Sequence, residues 1–414
     1  MTTVSGPITR PPAQPTPRGG PRVLVAHNLY RSAAPSGENS VVLEDVTRLR
    51  AAGVEVATVF TSSDDIPRLP PAARLGVAAG PVINPAGVRR FAAALSSFAP
   101  DVVHLHNVFP LLSPWVIRTA RAAGVPVVQT VHNYRHTCVG GNRYRDGSTC
   151  DDCLGSLLPL PAVRHGCYRE SRLQTLPMVV SAVAHRSTWR SVDTFIAPTS
   201  FLADQLTRSG IEADRIVVFP NTAADPGPPT TPGQDVLFVG RLEEMKGPDL
   251  LVDAWAAAGP PAGARLRIAG SGPLGHALAE RARGKPGIEL LGRLDAAGVA
   301  AQMRLAALVA IPSRCYEAQP RAMVEAFAHG RGVLGSDHGA TALLGAEGLG
   351  WSVPPTVDAI RAALAVLRDR PALEAASTRA RARYEAEHRE PLSVSRLVEL
   401  YASVAARGRR ADQG

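Results

Sequence analysis

The stretch DPGPPTTPGQ, residues 225–234, carries four prolines and two glycines in ten positions. Neither a helix nor a central strand tolerates that density, because proline supplies no backbone donor and glycine costs conformational entropy. It reads as a linker, and what lies on its two sides decides the fold. Upstream, short β-branched runs alternate with amphipathic helical stretches: RVLVAHN (22–28), VEVATVF (54–60), DVVHLHN (101–107), VPVVQTV (125–131), DTFIAPT (193–199) and RIVVFPN (215–221). Downstream the alternation restarts, in DVLFVG (235–240), ARLRIAG (264–270), GIELLG (287–292), ALVAIP (307–312) and RGVLGS (331–336). Continuously apolar strands separated by helices imply parallel sheets covered on both faces. The fold class expected is α/β, with two Rossmann-like doubly wound domains facing a central cleft.

The organisation predicted is a disordered leader at 1–20, a first domain over 21–225, the linker at 226–234, a second domain over 235–390, and a helix and tail at 391–414. The amphipathic segment LSVSRLVELYASVAAR (392–407) could cross back to brace the first domain. A chain of 414 residues exceeds one ordinary domain, and its 45% apolar content argues for a well-buried globular protein. No run is long enough to span a membrane and no signal pattern opens the chain, so a cytoplasmic location is expected. The formal charge of +9 suits an anionic partner such as a nucleotide, a phosphate or an acidic membrane. Arg10, Arg18, Arg407, Arg409 and Arg410 supply part of it from the tails without forming a site. Dispersed basic residues and an aromatic content of 5% argue against a nucleic-acid reader.

In doubly wound sheets ligands bind at the carboxyl ends of strands, so unusual residues there carry the chemistry. The first strand opens into HNLYRSAAPSGENS, with Gly37 just ahead of a helix whose backbone amides could approach an anion. The fourth ends in VHNY and presents His132, a ligand-facing or a structural histidine. Beyond the linker, VGRLEEMKG sets Gly240 and Arg241 at a strand end and Lys246 in the first turn that follows. Two cations beside a helix N-terminus suit a diphosphate. AGSGPL (269–274) places Gly270 in a turn that could admit a base or phosphate. RCYEAQPRAMVEAFAHG (314–330) holds Glu317 on a loop and Glu325 inside a predicted helix over about 320–329, with Pro320 suited to its start and Gly330 to its end. Two carboxylates at one helix mouth read as a polar ligand site.

Together these motifs resemble the retaining, nucleotide-sugar-dependent glycosyltransferases of the GT-B fold grouped as family 4, over roughly residues 22–390. The resemblance rests on GRLEEMKG, AGSGPL, the E-x7-E pair followed by AFAHG, PSGENS, PDVVHLHN and VVQTVHNYRHTC. It implies that Arg241 and Lys246 hold the donor diphosphate, Glu325 the ribose hydroxyls, and Glu317 the transferred sugar. His132 would reach that sugar from the other domain, and Gly37 would pass close to the phosphates or acceptor. It also implies a UDP-, GDP-, ADP- or dTDP-sugar donor and a hydroxyl acceptor: a polysaccharide intermediate, a lipid carrier or a secondary metabolite. With no D-x-D motif in the chain, transfer without a metal or other cofactor is expected. The sequence departs from the family where Ala318, Gln319 and Pro320 replace a glycine-containing turn, so Gln319 becomes a candidate for sugar choice. A same-fold epimerase or phosphorylase and a non-catalytic binding protein are the alternatives.

Cys138, Cys150, Cys153 and Cys167 fall within a Cys-rich insertion at 136–170. The spacing C-x11-C-x2-C-x13-C offers four thiolates, enough for a closed structural zinc site, with free or redox cysteines as the alternative. The following segment, 163–190, is basic at both ends and apolar between. It could seat an anionic lipid-linked acceptor in peripheral contact with the inner membrane face, or be an ordinary basic helix packed on the first domain.

Overall fold

The computed structural model describes residues 20–32 and 36–411. The leader expected at 1–20 lies, but for Gly20, outside them. The strands are β1 (Val23–Leu29), β2 (Val56–Ser62), β3 (Val102–Leu105), β4 (Val127–Thr130), β5 (Tyr144–Arg145), β6 (Ser148–Thr149), β7 (Thr194–Ala197), β8 (Ile216–Val218), β9 (Asp235–Val239), β10 (Leu266–Ala269), β11 (Ile288–Gly292), β12 (Ala306–Ile311), β13 (Gly332–Ser336) and β14 (Gly350–Val353). They form one sheet in the order β2-β1-β3-β4-β7-β8, a second in the order β11-β10-β9-β12-β13-β14, and the ribbon β5-β6. Every pairing in the two large sheets is parallel.

The six apolar runs before the linker are the six strands of the first sheet, and the five after it belong to the second. The sixth strand of that sheet, β14, has no counterpart in the sequence reading. Its residues, GWSV, begin with glycine, and all four are only half-buried at a sheet edge, so neither length nor apolarity marks them. In each sheet the strand order reverses once, between β1 and β3 and between β9 and β12. A crevice opens at the carboxyl ends of the strands at such points.

Alternation along the strands feeds a core on each face. Val236 and Leu308 pack with Leu251 and Trp255, whereas Leu237 and Val309 pack with Phe327 and Tyr384. In the first sheet Leu24 and Val103 meet Phe91 and Ile117. The opposite face, Val23, Val25 and Val102, is covered by Leu397, Tyr401, Val404 and Ala405 of the C-terminal helix Glu390–Ala411. The helix that follows the second domain thus packs on the first. The buried Tyr401 hydroxyl lies 2.7 Å from Nδ1 of His104 on β3.

Candidate active site

The loops after β1, β4, β9, β10 and β12 enclose one cleft of about 740 Å³ between the two sheets. Gly37, His132, Gly240, Arg241, Lys246, Gly270, Glu317, Gln319 and Glu325 all line it. The nine residues singled out for catalysis and donor binding, scattered over nearly three hundred positions, are thereby brought together.

Lys246 and Glu317 are the centre of the second-sheet wall. The Lys246 Nζ lies 2.7 Å from Oε1 of Glu317, and Ser313 Oγ donates to the same oxygen at 2.6 Å. Burial pushes the Glu317 carboxyl up, but the adjacent ammonium and the two hydrogen bonds outweigh it and hold the carboxyl below its ordinary range. Burial likewise disfavours the Lys246 charge, and Glu317 more than compensates. The pair can form because Gly247 adopts φ +67° and passes against the end of β12: a Cβ there would meet the Pro312 carbonyl oxygen at 2.0 Å. Gly270 has a comparable role. Its absent Cβ would sit 1.8 Å from the Gly240 carbonyl oxygen, so this glycine lets two strand-end turns meet. Arg241 projects into the cleft about two-fifths exposed, with Nη1 donating to Glu243 at 2.6 Å.

Glu325 lies in the helix Arg321–Ala328, one turn beyond Arg321, whose Nε donates to its Oε1 at 2.8 Å. Burial raises the Glu325 carboxyl, and Arg321 opposes the rise without cancelling it. Arg321 also reaches across the cleft to Glu44 on the first-domain helix Gly37–Ala51, at 2.7 Å. Three more first-domain groups grip the loop between Glu317 and Gln319. Tyr134 Oη donates to the Glu317 carbonyl at 3.0 Å, Thr199 Oγ1 donates to the Ala318 carbonyl at 3.0 Å, and the Asn221 amide donates to Gln319 Oε1 at 2.5 Å. Gln319, considered for sugar choice, therefore already spends its side-chain oxygen on the linker side of the cleft.

His132 faces the cleft from the end of β4 and is backed by a second histidine. Its Nε2 lies 2.9 Å from Nδ1 of His106, with the rings stacked. Burial, reinforced by His27 and His104, lowers His132 to about 3. It is a neutral imidazole, able to hydrogen-bond a hydroxyl but not to act as a cation. Beside it, burial raises Glu38 to about 7 against the pull of Tyr30, Arg135 and Asn133. Gly37 opens the helix N-terminus next to Glu38, and a Cβ there would meet nothing within 4 Å.

The Cys-rich insertion forms a side wall. Arg143, 1% exposed, bonds Asp151 through Nε and Nη2 and Gln205 through Nη1, and stacks over Tyr316 at 4.4 Å. Tyr316 precedes Glu317 in the loop, so the insertion touches the second-domain wall of the cleft as well as the first domain. His338 braces the same loop from below: its Nε2 lies 3.2 Å from the Cys315 carbonyl and its ring packs edge-on against Tyr316. Ser313, Tyr134, Arg143, Arg321 and His106 were not singled out from the sequence. Arg321 stands four residues from Glu325, a helical spacing that could have revealed it; the others are near the site only in space.

Cys138, Cys150, Cys153 and Cys167 line one small recess of the insertion, and none is in a disulfide. The closed metal set expected from their spacing is not formed: among the described residues no group of three or more His, Cys, Asp or Glu is disposed to hold an ion. The physical reason is packing. Cys138 abuts the first-sheet core, and Cys153 and Cys167 abut Val139, Ala162 and Met178 as small apolar side chains.

Comparison with known proteins meets this geometry. Residues 36–222 match the glycosyl transferase 4-like domain, and residues 233–369 match the glycosyl transferases group 1 domain. The chain belongs to the group 1 glycosyltransferases. The two matched segments abut the linker and divide between the two sheets. A curated relative, the D-inositol 3-phosphate glycosyltransferase of Gordonia bronchialis, is 30% identical over 252 residues, which span 53% of this chain and 48% of that protein. The match thus covers about half the length of the relative. Sucrose-phosphate synthase from Thermosynechococcus elongatus superposes with a TM-score of 0.68 at 20% identity, over 93% of this chain and 99% of that one. Anabaena HepE in complex with UDP superposes with a TM-score of 0.63 at 15% identity, over 92% and 100%. These structural likenesses establish the two-domain GT-B fold.

Proposed function

We propose that this group 1 glycosyltransferase moves a sugar from a nucleotide-diphosphate donor to an acceptor hydroxyl with retention of configuration and without a metal ion. The observation that carries the reading is the half-buried Lys246–Glu317 pair beside Arg241 at the reversal point of the second sheet. The bond from the sugar's anomeric carbon to the diphosphate breaks as the acceptor oxygen bonds that carbon on the same face. Charge then builds on the leaving diphosphate, where Lys246 and Arg241 are preorganised cations. The acceptor's proton passes to a donor phosphate oxygen. Glu317 faces the sugar hydroxyls, Glu325 the ribose, and neutral His132 donates or accepts a hydrogen bond from the opposite wall. The related HepE structure holding UDP favours a UDP-sugar as the first donor to try. The named acceptor of the Gordonia relative makes a phosphorylated polyol the first soluble acceptor to try.

The test is a panel of UDP-, GDP-, ADP- and dTDP-sugars read by thermal shift and by mass spectrometry for hydrolysis and transfer. One nucleotide that stabilises the protein, with sugar released or transferred from it, is expected. Silence across the panel overturns the reading.

A further inference from the structure

The helix Arg172–Ala184 carries apolar side chains on its outer as well as its buried face. Thr175, Met178, Val179 and Ser181 are buried against the first domain. Its outer face carries Leu173, Leu176, Val180 and Val183, exposed by 80, 45, 49 and 40%. Their spacing of three, four and three residues sets them on one stripe along the helix. The loop before it adds Leu157, Leu158 and Leu160, exposed by 73, 50 and 58%. Arg186, just past the helix, donates from Nη2 to the Leu157 and Ser156 carbonyls at 2.6 and 3.2 Å, so loop and helix are tied into one surface. Half of the fourteen exposed large hydrophobics among the described residues lie in this one patch. Scattered exposed leucines need no explanation, but a continuous stripe does.

The surroundings say what would cover it. Residues 157–190 hold five arginines and a single carboxylate, Glu170. Arg164, Arg169 and Arg172 are exposed at one end of the stripe and Arg190 at the other. The nearest upstream carboxylates, Asp151 and Asp152, are already paired with Arg143 and Arg145. Aliphatic side chains framed by guanidinium groups match an anionic bilayer, whose acyl boundary lies just beneath a layer of phosphates. The patch also abuts the cleft: Arg169 lines it, three residues before Arg172.

We propose that the loop Leu157–Leu160 and the helix Arg172–Ala184 dock on an anionic phospholipid membrane, which brings the cleft to an acceptor hydroxyl carried on a lipid. The docking stands on the patch alone; the lipid-borne acceptor rests also on the glycosyl-transfer reading.

Co-sedimentation with vesicles of phosphatidylcholine alone, or mixed with phosphatidylglycerol, tests it on the full chain. Binding is expected to the mixed vesicles and to weaken as salt is raised. Leu173→Asp with Val180→Asp is expected to lower that binding about tenfold or more. These exposed changes leave the circular dichroism, the melting temperature and the hydrolysis of free nucleotide-sugar as they were. Equal and weak binding of the unaltered chain to both vesicles overturns the proposal, as does a double variant that binds undiminished. Light scattering that shows a dimer dispersed by the same two changes assigns the face to a second copy instead. Vesicle binding with no donor turnover would leave docking intact and overturn only the glycosyl-transfer reading.

Discussion

Lys246 keeps its charge where burial opposes it, because Glu317 shares its pocket. Removing Lys246 alone leaves the buried Glu317 charge uncompensated, at a cost of up to about 3 kcal/mol where the cleft admits water. Lys246→Ala is therefore expected to lower both stability and turnover, the latter by about 100-fold or more. Adding Glu317→Gln restores the melting temperature but not the turnover, which separates the structural from the catalytic contribution. Recovery of both in the double variant would move the diphosphate elsewhere. The histidines make a second residue-scale prediction. Burial lowers His27 and His136 to about 4 and His104 and His132 to about 3, and holds His106 well below its ordinary value. Between those values and the ordinary 6.5 the unfolded chain binds protons that the folded chain refuses. Glu38 and Asp45, raised to about 7, act in the opposite sense over part of that window. Glu325 is raised as well, and five histidines against three carboxyls still favour the unfolded state in acid. Stability is thus full above about pH 6.5 and falls as pH drops towards 4, by about 1.4 kcal/mol per pH unit for each net proton. Urea midpoints from pH 4.5 to 8 check the slope; a flat profile would contradict the buried, neutral cluster.

The insertion's ribbon, β5-β6, is too short to be stable alone. It is held by the fully buried Arg143, whose guanidinium joins the ribbon to Gln205 of the first domain and to the Tyr316 ring of the second. A desolvated contact of this kind is worth up to about 2 kcal/mol. If it positions the loop that carries Glu317, Arg143→Ala and Tyr316→Ala each lower kcat by up to about 30-fold, with nucleotide affinity little changed. Combined, they cost no more than one alone. Additive losses in log kcat would mean that the two side chains act separately. The insertion was legible from its cysteines, but its ribbon and the role of Arg143 were not. Arg143 lies among charged loop residues in the sequence, and only folding buries it. By contrast, the E-x7-E helix was legible: Pro320 and Gly330 mark its ends, and the structure forms Arg321–Ala328 between them, with Gly330 at φ +63°.

Across the whole molecule, the two domains are joined by more than the linker. The C-terminal helix Glu390–Ala411 completes the core of the first sheet, and Arg48 bonds Glu390 at 2.5 Å where it arrives. A chain ending before Glu390 would expose the inner faces of β1 and β3, and is expected to be recovered aggregated or with a first domain open to proteolysis. Tyr401→Phe keeps the packing and loses the His104 hydrogen bond, at a cost of about 1 kcal/mol in chemical denaturation. A soluble, protease-resistant truncated chain would show that the helix merely decorates the fold.

The sequence by itself determined the two-domain α/β architecture, because strand and helix periods and a proline-rich linker are local properties that survive without knowledge of contacts. It also marked the nine cleft residues, since glycines and polar side chains at strand ends stand out in an apolar pattern and the family resemblance singled out Gln319. Only the tertiary structure decided which of them meet. Lys246 and Glu317 are seventy-one residues apart, and their pairing depends on the close backbone approach that Gly247 permits at Pro312. It alone decided that His132 is neutral, since desolvation depends on neighbours from three strands, and that Arg321 spans both domains to Glu44. It also decided that the outer face of the helix Arg172–Ala184 is apolar, because a stripe has a direction only once its helix is packed.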